Sequence, residues 1–121
     1  MSISTNAIGK SGESVAFTYL INQGFKILER NWRCGRDEIN LIAEIDDCVV
    51  FVEVKARKNN TFGDPQDFVT KKKQRFMIRA ANTYLQDRNI EKECRFDIIA
   101  INNEMIEDPI LHIEDAFYPT L

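Results

Sequence analysis

A chain of 121 residues, 44% hydrophobic and 29% charged, has the make-up of one soluble globular domain, residues 1–121, with a single core. Its formal net charge of −3 argues against a protein that coats nucleic acid indiscriminately. Three scattered cysteines (Cys34, Cys48, Cys94) and one histidine, His112, argue against a zinc centre, a disulfide framework and histidine-based nucleophilic chemistry.

The opening Met1-Ser2-Ile3-Ser4-Thr5-Asn6 lacks the charged and apolar regions of a signal peptide, and no apolar run approaches the roughly 20 residues that span a bilayer. A cytoplasmic location without membrane contact is therefore expected. Apolar spacing predicts a helix over 7–23, stopped at Gly24, a residue that readily closes a helix. Strands over 25–32, 39–45 and 48–55 follow. The turn-forming run 59–65 reads as a loop, and a second helix is predicted over 67–88. A fourth strand over 95–101, a turn at Asn102-Asn103 and a short edge strand over 110–113 complete the chain. The order αβββαβ(β) is that of an α/β sandwich, a mixed sheet carrying helices.

The third strand, Val49-Val50-Phe51-Val52-Glu53-Val54-Lys55, is apolar except for two charges two residues apart. Alternation puts Glu53 and Lys55 on the same face, where burial is costly unless they pair, bind a metal or meet a substrate. If Asp46-Asp47 makes a tight turn, paired residues in strands two and three sum to 93. Asn40 then faces Glu53, Glu38 faces Lys55, and the four form a polar square at the strand ends.

Each helix adds a charge to the start of an apolar stripe: Glu13 ahead of Ala16 and Phe17, and Lys73 ahead of Phe76 and Met77. Lys72, Arg75 and Arg79 fall on a different, outward stripe. Charge is segregated along the chain. Eight basic residues (Lys55, Arg57, Lys58, Lys71, Lys72, Lys73, Arg75, Arg79) face two acids between Lys55 and Arg79, whereas Asp37 to Glu53 holds six acids and no base. A metal site beside a phosphate-binding surface needs that layout, and solvated faces explain it as well. Plainer roles stay open for single residues: a helix-dipole partner for Glu13, a strand-end ion pair for Glu53 and Lys55, a snorkelling stem for Lys73, a structural carboxylate for Asp97 and a turn anchor for Phe62-Gly63.

Taken together, Gly12-Glu13, Asn31-Trp32-Arg33, Glu38-Ile39-Asn40-Leu41-Ile42-Ala43, Phe51-Val52-Glu53-Val54-Lys55-Ala56-Arg57, Phe62-Gly63-Asp64-Pro65, Lys73-Gln74 and Arg95-Phe96-Asp97 resemble the uncharacterised bacterial YraN-like family in order and spacing. That resemblance covers nearly the whole chain. It implies the restriction-endonuclease-like PD-(D/E)xK fold, kinship with archaeal Holliday-junction resolvases, and a homodimer by analogy with them. It maps a helix glutamate to Glu13 and the Glu-x-Lys pair to Glu53 and Lys55. One position departs: where the family pattern reads Gly-Glu-Ile-Asp, this chain reads Asp37-Glu38-Ile39-Asn40. An amide oxygen ligates Mg²⁺ without supplying charge, so the substitution weakens a metal site.

The expectation is a divalent-metal-dependent endonuclease acting on DNA, including branched or junction DNA. Glu53, Glu13 and Asn40, with Glu38 as a substitute carboxylate, would hold Mg²⁺ or Mn²⁺, and Lys55 would serve the reaction. Arg57, Lys72, Lys73, Arg75 and Arg79 are the candidates for the nucleic-acid backbone. The alternative is a nucleic-acid-binding module that keeps the nuclease fold but has lost its chemistry at Asn40.

Overall fold

The computed structural model describes residues 5–57, 69–102 and 109–119. Helix α1 (Thr5–Asn22) ends where Gly24 takes a φ of +96°, open to a residue without a Cβ. Its N–H donates to Ile21 O at 3.0 Å and the Phe25 N–H to Leu20 O at 3.0 Å, satisfying carbonyls the helix would otherwise leave bare. Three antiparallel strands follow: β1 (Lys26–Cys34), β2 (Asp37–Ile45) and β3 (Cys48–Arg57). The turn between β2 and β3 is Asp46-Asp47, with φ of +49° and +61°. Both values are positive, as a two-residue turn that matches strand twist requires.

Helix α2 (Lys71–Asp87) starts at Thr70, whose Oγ1 accepts the Lys73 N–H at 3.1 Å. It closes on Asn89, which adopts a φ of +52°, with the Ile90 N–H donating to Leu85 O at 2.9 Å. The start lies later than the predicted residue 67, because the threonine hydroxyl sets the first turn. Strands β4 (Glu93–Asn102) and β5 (Ile110–Phe117) complete one sheet in the order β1-β2-β3-β4-β5. Among the described strands only β3 and β4 pair in parallel, and α2 lies in the connection between them.

The two helices cover opposite faces. Ala16 and Leu20 of α1 pack on Leu41, Ala43, Val50, Val52, Ile99 and Ile101. Met77, Ala80, Ala81 and Tyr84 of α2 pack on Ile39, Ile42, Val49, Phe51, Phe96 and Ile98. Central strands buried on both faces must be apolar at consecutive positions, which accounts for the runs 49–52 and 98–101. Each fully buried aliphatic side chain contributes about 1.5–3 kcal/mol, so the sheet centre is well anchored. Among the described residues no helix is long and apolar enough to cross a membrane.

The expected element order is thus observed, a mixed sheet flanked by helices. Strand β5 is longer than predicted. Its pairing shifts between Ile98–Ile113 and Phe96–Phe117, and Asp115 takes a φ of +54° there. That bulge lets the strand run through Glu114-Asp115, which read as its end. The loop 59–65, with Phe62-Gly63, and Asn103 lie outside the described residues.

Candidate functional site

The β2–β3 pairing has the expected register, from Ile45–Cys48 to Leu41–Val52, and stops there. β3 continues to Arg57 against β4 alone. Glu53 and Lys55 sit in the fork so formed, just past Val52, the last β3 residue paired with β2.

Glu53 lies on the α2 face with Phe51 and is 5% exposed. Its Oε2 is 3.6 Å from Lys73 Nζ in the first turn of α2, an ion pair too long for a hydrogen bond. Oε2 is a buried oxygen without a hydrogen-bond donor. Burial pushes its carboxyl above the ordinary value; the charges of Lys73 and Lys55 oppose that and do not overcome it, and Glu38 adds to the rise. A carboxylate held so has an unmet need for positive charge. Lys55 is half-buried on the same face by strand alternation.

Asn40 corrects the expected polar square. Ile39 and Ile42 both belong to the α2 side and Leu41 to the α1 side, so β2 does not alternate through this stretch. Asn40 instead turns toward α1. Its Nδ2 donates to Glu13 Oε1 at 3.3 Å, and its Oδ1 accepts the Val54 N–H at 2.9 Å. One side-chain amide therefore replaces the strand bond that β2 no longer supplies and ties α1 to β3. Gly12 of the same helix is buried next to Ala56, where a Cβ would make an ordinary contact of 3.6 Å with that of Ala56. The fork thus has two arms. Glu13, Asn40 and the Val54 amide form one, and Lys73, Glu53 and Lys55 the other.

Glu38 is half-exposed and 3.7 Å from Arg33, its cross-strand neighbour on β1. Arg79 differs from its expected role as an open backbone contact. It grips Asp37 bidentately, both bonds at 3.0 Å, although its side chain remains largely in solvent. Asp37 is 8% exposed and so needs that partner. Arg75 and Lys72 are exposed on α2, with Lys72 5.7 Å above the Phe76 ring. Arg75 and Arg79 also line a groove of about 370 Å³ with Ile78, Asn82, Thr83 and Pro119. The Arg57 side chain lies outside the described residues. A groove of about 540 Å³ between α1 and Ile110 is lined by Ser14, Val15, Thr18 and Asn22 and offers no reactive constellation.

A second polar cluster was not foreseen. Asp97, fully buried on the α1 face, receives both Arg95 nitrogens at 3.1 and 3.2 Å, lies 2.7 Å from His112 Nε2, and accepts the Asp115 N–H at 3.0 Å. His112 Nδ1 in turn lies 3.0 Å from the Tyr19 hydroxyl. Burial alone would push the Asp97 carboxyl up; bonds from His112, Asp115 and Arg95 together hold it below the ordinary value. Asp97 and Arg95, two apart on β4, carried the one local signal.

Among the described residues, no three His, Cys, Asp or Glu side chains gather as a metal cluster. Mg²⁺ does not need one, since it keeps several waters and binds one or two carboxylates plus substrate phosphates. The orphaned Glu53 oxygen fits that sparse demand.

Comparison with known proteins gives a consistent family and no activity. Residues 12–101 match the model of the "Uncharacterised protein family UPF0102". A UPF0102 protein of Chlorobium chlorochromatii is 47% identical over 121 residues, covering 95% of this chain and 94% of its own. One from Phocaeicola vulgatus is 44% identical over 116 residues (96% of each chain), and one from Geobacter metallireducens 43% over 118 residues (97% of each). Among solved structures, Pyrococcus furiosus SfsA in complex with Ca²⁺ aligns over 93% of this chain and 64% of its own, at 16% identity and a TM-score of 0.34, too slight a likeness to build on. On the family match and these identities, the chain belongs to the uncharacterised protein family UPF0102.

Proposed function

We propose that this protein acts on DNA as a divalent-metal-dependent endonuclease, with branched or junction DNA as a substrate and the Glu53 fork as its active site. The observation that carries the reading is a buried glutamate with a donorless oxygen, set between two lysines at the end of a core strand. Structural carboxylates are not left in that condition without reason.

Glu53, with Glu13 and Asn40 on the other arm, would hold Mg²⁺ or Mn²⁺. When bound, the ion supplies polarisation of a phosphoryl oxygen and a lowered pKa for an attacking water. Lys55 directs an ammonium to the same face as Glu53 and offsets negative charge building on the phosphate. Lys72 and Arg75, exposed along α2, meet the backbone through sequence-independent contacts that weaken with salt. Glu38, whose charge reaches Glu53, serves as a secondary carboxylate; a Glu38→Ala variant with undiminished metal affinity would remove it from the set.

One observation favours a second reading, a nucleic-acid-binding module without chemistry. The Asn40 amide already uses its nitrogen on Glu13 and its oxygen on the Val54 N–H. The oxygen, the one atom of the amide that can ligate a cation, is thus already drawn to the strand and brings no charge to an ion. Labelled duplex, single-stranded and four-way-junction DNA incubated with Mn²⁺ separates the two, using wild type, Asn40→Asp and Glu53→Ala. The nuclease reading expects cleavage by wild type that is lost in Glu53→Ala. Cleavage by Asn40→Asp alone supports the binder, and silence from all three removes the nuclease reading for these substrates.

A further inference from the structure

Lys73 combines three features that its sequence position did not announce. Its backbone is fixed, because its N–H is the group capped by Thr70 Oγ1 at 3.1 Å. Its ammonium lies 3.6 Å from Glu53 Oε2, one of the pair being 6% exposed and the other 35%. It also follows Lys71 and Lys72, so three ammonium groups crowd the first turn of α2, the end of a helix that disfavours positive charge. There is no acid in that turn. Glu53 relieves this end of the helix, and Lys73 relieves Glu53. Each is the other's incomplete solution, since the pair does not close to hydrogen-bond distance.

We propose that Lys73 is a displaceable counter-ion: it neutralises Glu53 in the resting protein and leaves for a DNA phosphate when a divalent cation takes its place. The proposal rests on the reading of Glu53 as a metal-holding residue and adds a coupling between the two ligands. A lysine stem is long enough to swing from a fixed backbone, and a side chain already one-third exposed has solvent to swing into. A divalent ion at Glu53 repels the ammonium. A phosphate near the α2 N-terminus attracts it, as it relieves the crowded lysines and the helix dipole together. Each ligand thereby removes the obstacle to the other, and the coupling is reciprocal. Lys73 is a positioning residue in this scheme, not a group that touches the attacking water.

Mn²⁺ binding to the full chain is measured by titration calorimetry, with and without a short DNA duplex, for wild type, Lys73→Met and Lys92→Met. Lys92 pairs with Glu44 on another surface and serves as the charge control. In wild type, DNA tightens Mn²⁺ binding by about fivefold or more, the lower end of ordinary coupling between sites. Lys73→Met binds Mn²⁺ more tightly than wild type without DNA, by a similar factor, and loses most of the DNA effect. Lys92→Met behaves as wild type. Equal Mn²⁺ affinity in wild type and Lys73→Met overturns the counter-ion role and leaves the metal site standing. No Mn²⁺ binding by wild type or Lys73→Met overturns the metal-dependent reading, and the role with it. A measurement without substitution guards against misfolding of Lys73→Met: the Lys73 Cε NMR signal of wild type moves toward that of a solvated lysine on adding Mg²⁺. A signal that stays fixed while Mg²⁺ binds also overturns the role.

Discussion

Glu53 and Asp97 are buried carboxylates on adjacent parallel strands, one step apart in register and on opposite faces of the sheet, and their surroundings are opposite. Asp97 has a bidentate arginine, a histidine nitrogen and a backbone N–H, and its carboxyl is held low. Glu53 has one lysine beyond hydrogen-bond range and an oxygen without a donor, and its carboxyl is pushed up. Burial is similar, so burial alone does not distinguish the two carboxylates; the completeness of the partner set does. Asp97 fastens β4 to β5 and to α1 through His112 and Tyr19, whereas Glu53 has one oxygen without a donor, the feature on which the proposed metal site rests.

The comparison is broken most directly at Asp97. Replacing it with Asn leaves Arg95 and His112 facing an amide, and removing one member of a buried pair costs about 3–5 kcal/mol. Urea denaturation of Asp97→Asn is expected to give a loss in that range. Glu53→Gln is expected to act in the opposite sense, raising stability by about 1 kcal/mol by relieving an under-solvated charge, while abolishing Mn²⁺-dependent cleavage. A loss of stability in Glu53→Gln comparable with that of Asp97→Asn would erase the distinction. Asn40→Asp is expected to lower metal-free stability by about 1–2 kcal/mol, because the carboxylate repels Glu13 and no longer donates. Added Mn²⁺ should recover the loss if the fork holds an ion, and thermal melts with and without Mn²⁺ read this out.

The smallest effects are in pH, and the two carboxylates have opposite signs. Asp97 is held below its ordinary 3.8, so its contribution is complete above that value and lost as pH falls through the lower folded value. The gap between wild type and Asp97→Asn should persist to strongly acid conditions. Glu53 is raised above its ordinary 4.5, so its favourable protonated form counts below that value and is lost as pH rises through the folded value. The advantage of Glu53→Gln should therefore be absent in acid and open above about pH 4.5.

Local chemistry carried the legible part of the fold. Gly24 announced the end of α1, and Asp46-Asp47 announced a turn whose two positive φ values set the β2–β3 register. Alternation alone put Glu53 and Lys55 on one face. What stayed hidden depended on side chains meeting across the fold. Asp97 meets His112 fifteen residues on, and Asp37 meets Arg79 forty-two residues on. Asn40 was expected to look across the strand at Glu53. The register supported that expectation until the ladder ended one residue short, and a helix residue claimed the amide. Strand β5 outran its polar signal because a bulge at Asp115 gave that residue's N–H to Asp97.

Within β3, the N–H of Val54 is bonded to the side chain of Asn40 rather than to the backbone of a neighbouring strand. Its proton is therefore a built-in clock on the fork. Amides in the sheet centre exchange with solvent only when the domain unfolds globally, whereas this one is released whenever a single asparagine rotates away. Its exchange rate, followed in heavy water without any label or substitution, measures how often the site opens while the fold around it stays shut.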